Sequence, residues 1–373
     1  MLACSRYQTL RKQPMKSRPD TPEIIRRRPI GRVRLSDVAE LAGVSLGSAS
    51  RALSVPDLVK PVTLKRVREA AERLGYVPDG AARALVMGRS ETIGVVLPTI
   101  NNPIYSDFVH ALQKRLSDDG YQLLISAHEY DRVAEKRQIE RLLLRGVDGL
   151  VLVGSEHDAE TLARLQRAAV PVLFAWSIDD TQRRTGVGFS NRLAIQPIVR
   201  HLLDLGHRRF AVLSGDPADN ERARSRLEGI REALAAAEVE LPEAAIVIGP
   251  FTIEAGRAGL RRVRQSHPAA TALICTTDLI AAGALAEARA MGIAVPDRLS
   301  ITGFDDIELA ALLTPALTTV HVPTDALGDL AADRMLAALK SGEALRSAEV
   351  ATQLVIRASS GPAPATLKSR RKR

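Results

Sequence analysis

Two hydrophobic rhythms divide the chain. Between Leu35 and Leu74, apolar residues recur at helical spacing and are interrupted at Gly43 and Gly75. Ser36 is placed to cap a first helix, Asp37-Val38-Ala39-Glu40-Leu41-Ala42, whose early acids suit the helix dipole. Ser45 is placed to cap a second, Leu46 to Leu53, and Pro61 opens a third that stops at Gly75. Lys60, just before Pro61, is a poor cap. The three helices form one compact unit with an inner face of Val38, Ala39, Leu41, Val44, Ala49, Leu53, Val67, Ala71 and Leu74.

From Ile93 the rhythm changes. Short apolar runs (Ile93–Leu97, Gln122–Ser126, Gly149–Val153, Val172–Ala175, Arg209–Leu213, Ala244–Ile248, Ala272–Cys275, Ser300–Gly303) alternate with amphipathic stretches such as Tyr105–Leu116, Ala134–Leu144, Ala194–Leu205 and Asp278–Met291. This alternation predicts an α/β fold with a doubly wound parallel sheet. The stretch is long for one sheet, so two lobes are expected.

Charge adds a further division. The formal net charge of +9 is distributed as +8 over residues 1–34, +2 over 35–89, −6 over 90–360 and +5 over 361–373. Basic ends on an acidic body are a common footprint of nucleic-acid binding, although solvated tails read the same way. Residues 1–32 and 359–373 are expected to be disordered basic segments. Met15 offers a second candidate start. Apolar runs such as Gly149–Val153 fall far short of the ~20 residues of a membrane span. The first thirty residues carry no apolar core of a secretory signal, and Cys4 and Cys275 make no disulfide framework, so a cytoplasmic protein is expected.

The run Val33-Arg34-Leu35-Ser36-Asp37-Val38-Ala39-Glu40-Leu41-Ala42-Gly43-Val44-Ser45, with Ser48-Ala49-Ser50-Arg51-Ala52-Leu53 and Leu74-Gly75-Tyr76-Val77-Pro78, resembles the start of the LacI/GalR transcription regulators. The likeness continues through Ala82-Arg83-Ala84-Leu85, Asn102-Pro103, Leu205-Gly206-His207, Arg226-Leu227-Glu228-Gly229, Gly303-Phe304-Asp305-Asp306 and Pro315-Ala316-Leu317. It implies a helix-turn-helix DNA-binding domain over 33–78 and a hinge helix and linker over 79–91. A two-lobed, periplasmic-binding-protein-like effector and dimerisation domain would follow over 92–358. A helix-turn-helix lays its second helix in the major groove. The implied DNA contacts are Ser36, Ser45, Leu46, Gly47, Ser48, Ser50 and Arg51, with Leu46, Gly47 and Arg51 at the base-reading positions. Gly47 offers no side chain, and Leu46 offers only apolar contact. Leu85, with Ala82 beside it, matches the residue that relatives wedge into the minor groove, a contact that kinks the duplex.

Open α/β sheets bind ligands at the carboxyl ends of strands. Near those ends stand Ile104, Tyr105, Trp176, Ser190, Arg222, Arg226, Thr277 and Asp305. They are polar groups with a few aromatics and suit a polyhydroxylated ligand. The resemblance makes Arg226, opening a helix, and Asp305 the principal effector contacts. Through Asn102-Pro103 and Gly188-Phe189-Ser190-Asn191 the chain is most similar to the family's regulators of gluconate and related sugar acids, with the Arg226 fork available for a carboxylate, so the resemblance implies a sugar or a sugar acid such as gluconate. Trp176 reads equally as core or as ligand platform, and Asp278 as a helix cap.

Other motifs fall away. Gly43-Val44-Ser45-Leu46-Gly47 spells a nucleophile elbow but follows a helix, not a strand. The seven histidines show no metal spacing, and no dinucleotide or phosphate-loop fingerprint exists. His207 and buried Cys275 read as structural. The expectation is a dimeric regulator of repressor type, without cofactor, catalytic site, metal or membrane, bound to a near-palindromic double-stranded operator. The rivals are a sugar-binding or transport protein with an added N-terminal module, and an α/β enzyme.

Overall fold

The computed structural model describes residues 33–178 and 185–365, except for the side chains of Ala81, Ala82, Leu85 and Val86. The expected basic arm, 1–32, and residues 366–373 lie outside the described residues. The chain divides into two units, Met1–Arg83 and Ala84–Arg373.

The first unit holds α1 (Leu35–Ala42), α2 (Leu46–Ser54) and α3 (Pro61–Leu74). α1 begins one residue before Ser36, which is exposed and caps nothing. Asp37 supplies the start instead: its carboxylate accepts the Arg34 backbone N–H at 2.9 Å, the reach of a capping box. Ser45 does cap α2, accepting the Ser48 N–H at 3.2 Å. Lys60 gives α3 no side-chain cap, and Pro61 opens it. The core is Val38, Ala39, Ala42, Ala49, Ala52, Val67, Ala70 and Ala71. Leu41 belongs to the expected inner face but is 43% exposed. From Val38 the helical period allows position 41 or 42, and the small Ala42 takes the inward place because it permits close helix approach. Gly43 turns between α1 and α2 at φ +61°, and a Cβ there would stand 2.6 Å from the Arg66 guanidinium, which donates to the Gly43 carbonyl at 3.3 Å. The hinge segment is helical as α4 (Gly80–Met87), its first turn closing on the Asp79 carbonyl.

In the second unit the chain runs β1 (Thr92–Leu97), α5 (Pro103–Asp118), β2 (Gln122–Ala127), α6 (Arg132–Leu144), β3 (Gly149–Val153), α7 (Ala159–Ala168), β4 (Val172–Ala175) and β5 (Gly186–Gly188). It then crosses to a second lobe: α8 (Asn191–Asp204), β6 (Phe210–Ser214), α9 (Glu221–Ala236), β7 (Ile246–Ile248), α10 (Ile253–Ser266), β8 (Ala272–Cys275), α11 (Asp278–Ala290), β9 (Ser300–Thr302), α12 (Glu308–Leu312) and β10 (Thr319–His321). α13 (Thr324–Ser341) and β11 (Ala348–Glu349) return to the first lobe, and β12 (Gln353–Val355) goes back to the second. The first sheet has the order β11-β5-β4-β3-β1-β2 and the second β7-β6-β8-β9, every pairing parallel; β12 pairs antiparallel with β10. This is the two-lobed, doubly wound α/β architecture expected. Three crossings between lobes put the carboxyl ends of both sheets at one cleft.

Two helices of the second lobe pack closely. α10 and α11 meet backbone to backbone: a Cβ on Gly256 would stand 2.0 Å from the Ile280 carbonyl oxygen, and one on Gly283 would stand 1.9 Å from that of Ile253. The C-terminal segment also departs from expectation. Residues 359–363 are packed, not a free tail: the Ser359 hydroxyl donates to the Ile301 carbonyl at 2.6 Å, and Ala363 N–H donates to Leu205. His207, fully buried, faces Thr271, Ser300 and the Gly361 carbonyl at 3.0–3.1 Å, so it ties that segment down. Burial holds its pKa below the ordinary imidazole value. Cys275 is buried, and burial pushes its thiol up, which makes it unreactive. Among the described residues no helix is long and apolar enough to cross a membrane.

Two substitutions test this packing. Gly283→Ala forces the α10–α11 backbones apart and should cost about 1–3 kcal/mol, read as a lower denaturant midpoint with an unchanged m-value. Ser45→Ala removes a satisfied cap and should destabilise the first unit by about 1 kcal/mol, seen as faster amide exchange in α2.

Candidate functional site

The exposed face of α2 carries the expected DNA-reading residues. Leu46 is 55% exposed, Gly47 and Arg51 are exposed, and Ser48 and Ser50 are half-buried. The hydroxyls of Ser45 and Ser48 pair at 2.9 Å at the helix start. Arg51 lies back along the helix, its guanidinium 4.0 Å from where a Cβ of Gly47 would stand. The bare position therefore leaves a lane for the arginine towards the helix N-terminus, the end that meets base edges in a major groove. Ala82 and Leu85 are on α4, with side chains outside those described.

In the second unit, seven of the eight expected ligand residues line one inner pocket: Ile104, Tyr105, Trp176, Arg222, Arg226, Thr277 and Asp305. Ser190 does not. It is the N-cap of α8, accepting the Leu193 N–H at 3.3 Å, and stands outside that lining. Thr277 caps α11, leaving Asp278 free of that task; the Asp278 carboxylate instead accepts the Thr319 hydroxyl at 2.6 Å and the Ile307 N–H at 2.9 Å. Burial lifts the Asp278 pKa to about 6.

Arg226 is the pocket's anchor. α9 starts earlier than expected, at Glu221, so Arg226 projects from within the helix. Its Nε donates to Asn191 Oδ1 at 2.9 Å, its Nη1 to the Thr276 carbonyl at 2.7 Å, and Nη1 lies 3.6 Å from Asp305 Oδ1. The guanidinium also covers the Phe304 ring at 3.7 Å. Burial holds the pKa of Arg226 down and that of Asp305 well up, with each opposing the other's shift. Arg222 Nη1 meets Glu221 Oε1 at 3.0 Å. Burial opposes the Arg222 cation, but Glu221 beside it keeps the pKa above the ordinary value.

Trp176, 1% exposed, packs edge-on to Tyr105 (5.0 Å) and Phe108 (4.7 Å), so core and pocket-wall readings both hold for it. Trp176 (φ +75°) and Asp305 (φ +124°) occupy backbone regions rare for non-glycine residues. Such strain costs on the order of 1–3 kcal/mol and collects at binding sites.

The inner pocket holds only about 30 Å³, roughly the share of one water molecule. An adjoining cleft of 810 Å³ lies outside it, and Asn102, Tyr130, Asn220 and Phe251 line both. Tyr130 and Phe251, from different lobes, stack at 5.1 Å and stand between the two spaces. Sequence reasoning missed both, and also Glu221. The signal was available: Tyr130 follows β2 and Phe251 follows β7, and the strand-end rule applied to every strand would have found them. Among the described residues no cluster of His, Cys, Asp or Glu is placed to hold a metal.

Asn191 ties the site together, since its Nδ2 also donates to the Trp176 carbonyl at 3.0 Å. Asn191→Ala orphans a buried guanidinium donor and should destabilise the second unit by about 1–3 kcal/mol, followed through Trp176 fluorescence in denaturant.

Comparison with known proteins agrees with this geometry. Residues 34–79 match the model for bacterial regulatory proteins of the lacI family, and residues 199–360 match a periplasmic binding protein-like domain. The chain is 33% identical over 305 residues to the ribose operon repressor of Escherichia coli K12, covering 81% of this chain and 92% of that one. The crystal structure of transcription regulator GntR from Chromobacterium violaceum is similar at 34% identity and TM-score 0.69, covering 72% of this chain and 99% of that one. The lac repressor dimer bound to operator and the anti-inducer ONPF is similar at 28% identity and TM-score 0.77, covering 88% and 99%. With a three-helix unit, a two-lobed α/β unit with a pocket between its lobes, and relatives matched across nearly their whole length, the chain belongs to the LacI family of DNA-binding transcriptional repressors, whose members are regulators and not enzymes.

Proposed function

We propose that this repressor acts in the cytoplasm as a homodimer on a near-palindromic operator, under the control of a small polyhydroxylated effector bound between the lobes. The effector classes that fit are a sugar and a sugar acid such as gluconate. The convergence of Ile104, Tyr105, Trp176, Arg222, Arg226, Thr277 and Asp305 on one pocket between two α/β lobes carries the reading. Charged donors and acceptors alternate there with aromatic faces, the surface a ring of hydroxyls requires. Effector and operator binding are then reciprocally coupled, each changing the affinity for the other by the same factor.

Base reading is assigned to Leu46 and Arg51, the Arg51 guanidinium passing Gly47. Ser36, Ser45, Ser48 and Ser50 are assigned to the phosphate-facing side, and Ala82 and Leu85 to the minor groove at the operator centre.

Fluorescence anisotropy on DNA from upstream of the chain's own gene, with excess random competitor at fixed salt, tests the first half. Arg51→Ala should lower specific affinity by about 1–3 kcal/mol while leaving competitor-sensitive binding in place. Equal loss on both DNAs would reduce Arg51 to a phosphate contact.

A further inference from the structure

We propose that Glu221 is a specificity-determining residue of the effector pocket: by neutralising Arg222 it turns the pocket towards uncharged polyhydroxylated ligands and away from sugar acids. The inference rests on reading this cleft as the effector site, and it decides between the two ligand classes that reading admits.

The pocket has two guanidiniums, and each already faces a carboxylate. Arg222 Nη1 lies 3.0 Å from Glu221 Oε1, and Arg226 Nη1 lies 3.6 Å from Asp305 Oδ1. A third carboxylate, Asp278, is buried close enough to repel Asp305. With two guanidiniums set against three buried carboxylates, the pocket carries no surplus positive charge. A ligand carboxylate would bring an additional buried charge with no free cation to receive it, which is costly.

The approach route has the same sense. The outer cleft is lined by Glu129, Asp216, Asp219 and Glu254 and by no lysine or arginine. Among the described residues only Asp219 of these four has a cation within 4 Å, Arg132 at 3.8 Å. An acidic mouth lowers the local concentration of anions. A neutral polyol meets the opposite situation. Each arginine–carboxylate pair sets N–H donors beside oxygen acceptors, so one hydroxyl can accept from the first and donate to the second.

Glu221 is held in this role by the other lobe. It opens α9, and its Oε1 accepts the Ser155 backbone N–H at 2.9 Å and the Ser177 hydroxyl at 3.1 Å, both from the first lobe. Gly154 turns at φ +99°, where a Cβ would stand 2.2 Å from Arg222 Nη1 and 2.9 Å from Glu221 Oε1. The first lobe therefore closes directly on the ion pair, and Glu221 cannot leave Arg222 while the lobes are shut.

Glu221→Gln in the full chain tests this, because the amide oxygen can still accept from Ser155 and Ser177 but carries no charge. The probes are sodium acetate and sodium D-gluconate at constant ionic strength, with D-glucose as the neutral partner. Calorimetry and the fluorescence of Trp176, the one tryptophan, give the readout. Wild type should show no saturable response to acetate or gluconate. Glu221→Gln should gain one, shifting the gluconate-to-glucose preference by at least about tenfold, or ~1.4 kcal/mol. A loss of stability alone would not produce that reversal. Wild type binding gluconate more tightly than glucose overturns the proposal. So does a folded Glu221→Gln, by circular dichroism, that gains no anion response. Should the variant fail to fold, wild type decides through matched pairs of aldose and aldonic acid in the operator assay, where an acid acting below the concentration of its aldose overturns it. If no sugar and no sugar acid acts, the effector reading fails, while the acetate response of Glu221→Gln still decides the charge argument.

Discussion

A guanidinium buried as deeply as that of Arg226 cannot stand without partners, and the second unit is arranged around supplying them. Asn191 at the start of α8, Thr276 after β8 and Asp305 after β9 each present an acceptor, while Phe304 presents a ring face. One side chain thus fixes the relative positions of three strand or helix ends. Because Asn191 also donates to the Trp176 carbonyl, the constraint reaches across the crossing into the first lobe. The strained backbone at Asp305 and Trp176 is tolerated because these bonds over-determine it.

A second charge pair works on the same principle for closure. Glu221 and Arg222 leave the surface of the second lobe and are covered by Gly154, Ser155 and Ser177 of the first. Around them Glu156 pairs with Arg224, and Arg132 reaches the Asp219 carbonyl, so the closed edge is a row of polar contacts and not an apolar seam. Polar edges of this kind are exchangeable with water at low net cost. The Tyr130–Phe251 stack stands at the boundary, dividing a water-sized inner space from a cleft of ligand size.

In the first unit, small residues do the comparable work. Gly43 admits the turn and the Arg66 side chain, Ala42, Ala49, Ala52, Ala70 and Ala71 let three helices approach, and Gly47 gives Arg51 its path. The size of these residues, more than their hydrophobicity, sets how α2 is presented. That is why the helical period alone put Leu41 inside when the packing turned it outward.

The local and periodic features were legible in the sequence. Helical spacing with Gly43, Ser45, Pro61 and Gly75 as punctuation located the three helices, because caps and stops act within a turn of chain. Alternation of buried runs with amphipathic stretches located two α/β lobes, and strand ends led to seven pocket residues. The failures share one cause. Ser36 lost its cap to Asp37, and Asp278 lost its cap to Thr277: each is a competition among neighbours for one hydrogen bond, settled by backbone geometry. Glu221, Tyr130, Phe251 and the packed 359–363 segment depend on partners distant in sequence, across a cleft or between a strand end and the C-terminal segment. Composition and spacing determined the elements and the family of surfaces they present. Only the tertiary structure decided which charges neutralise one another, since a Coulombic or hydrogen-bonded pair is a function of distance in space and the chain order does not record it.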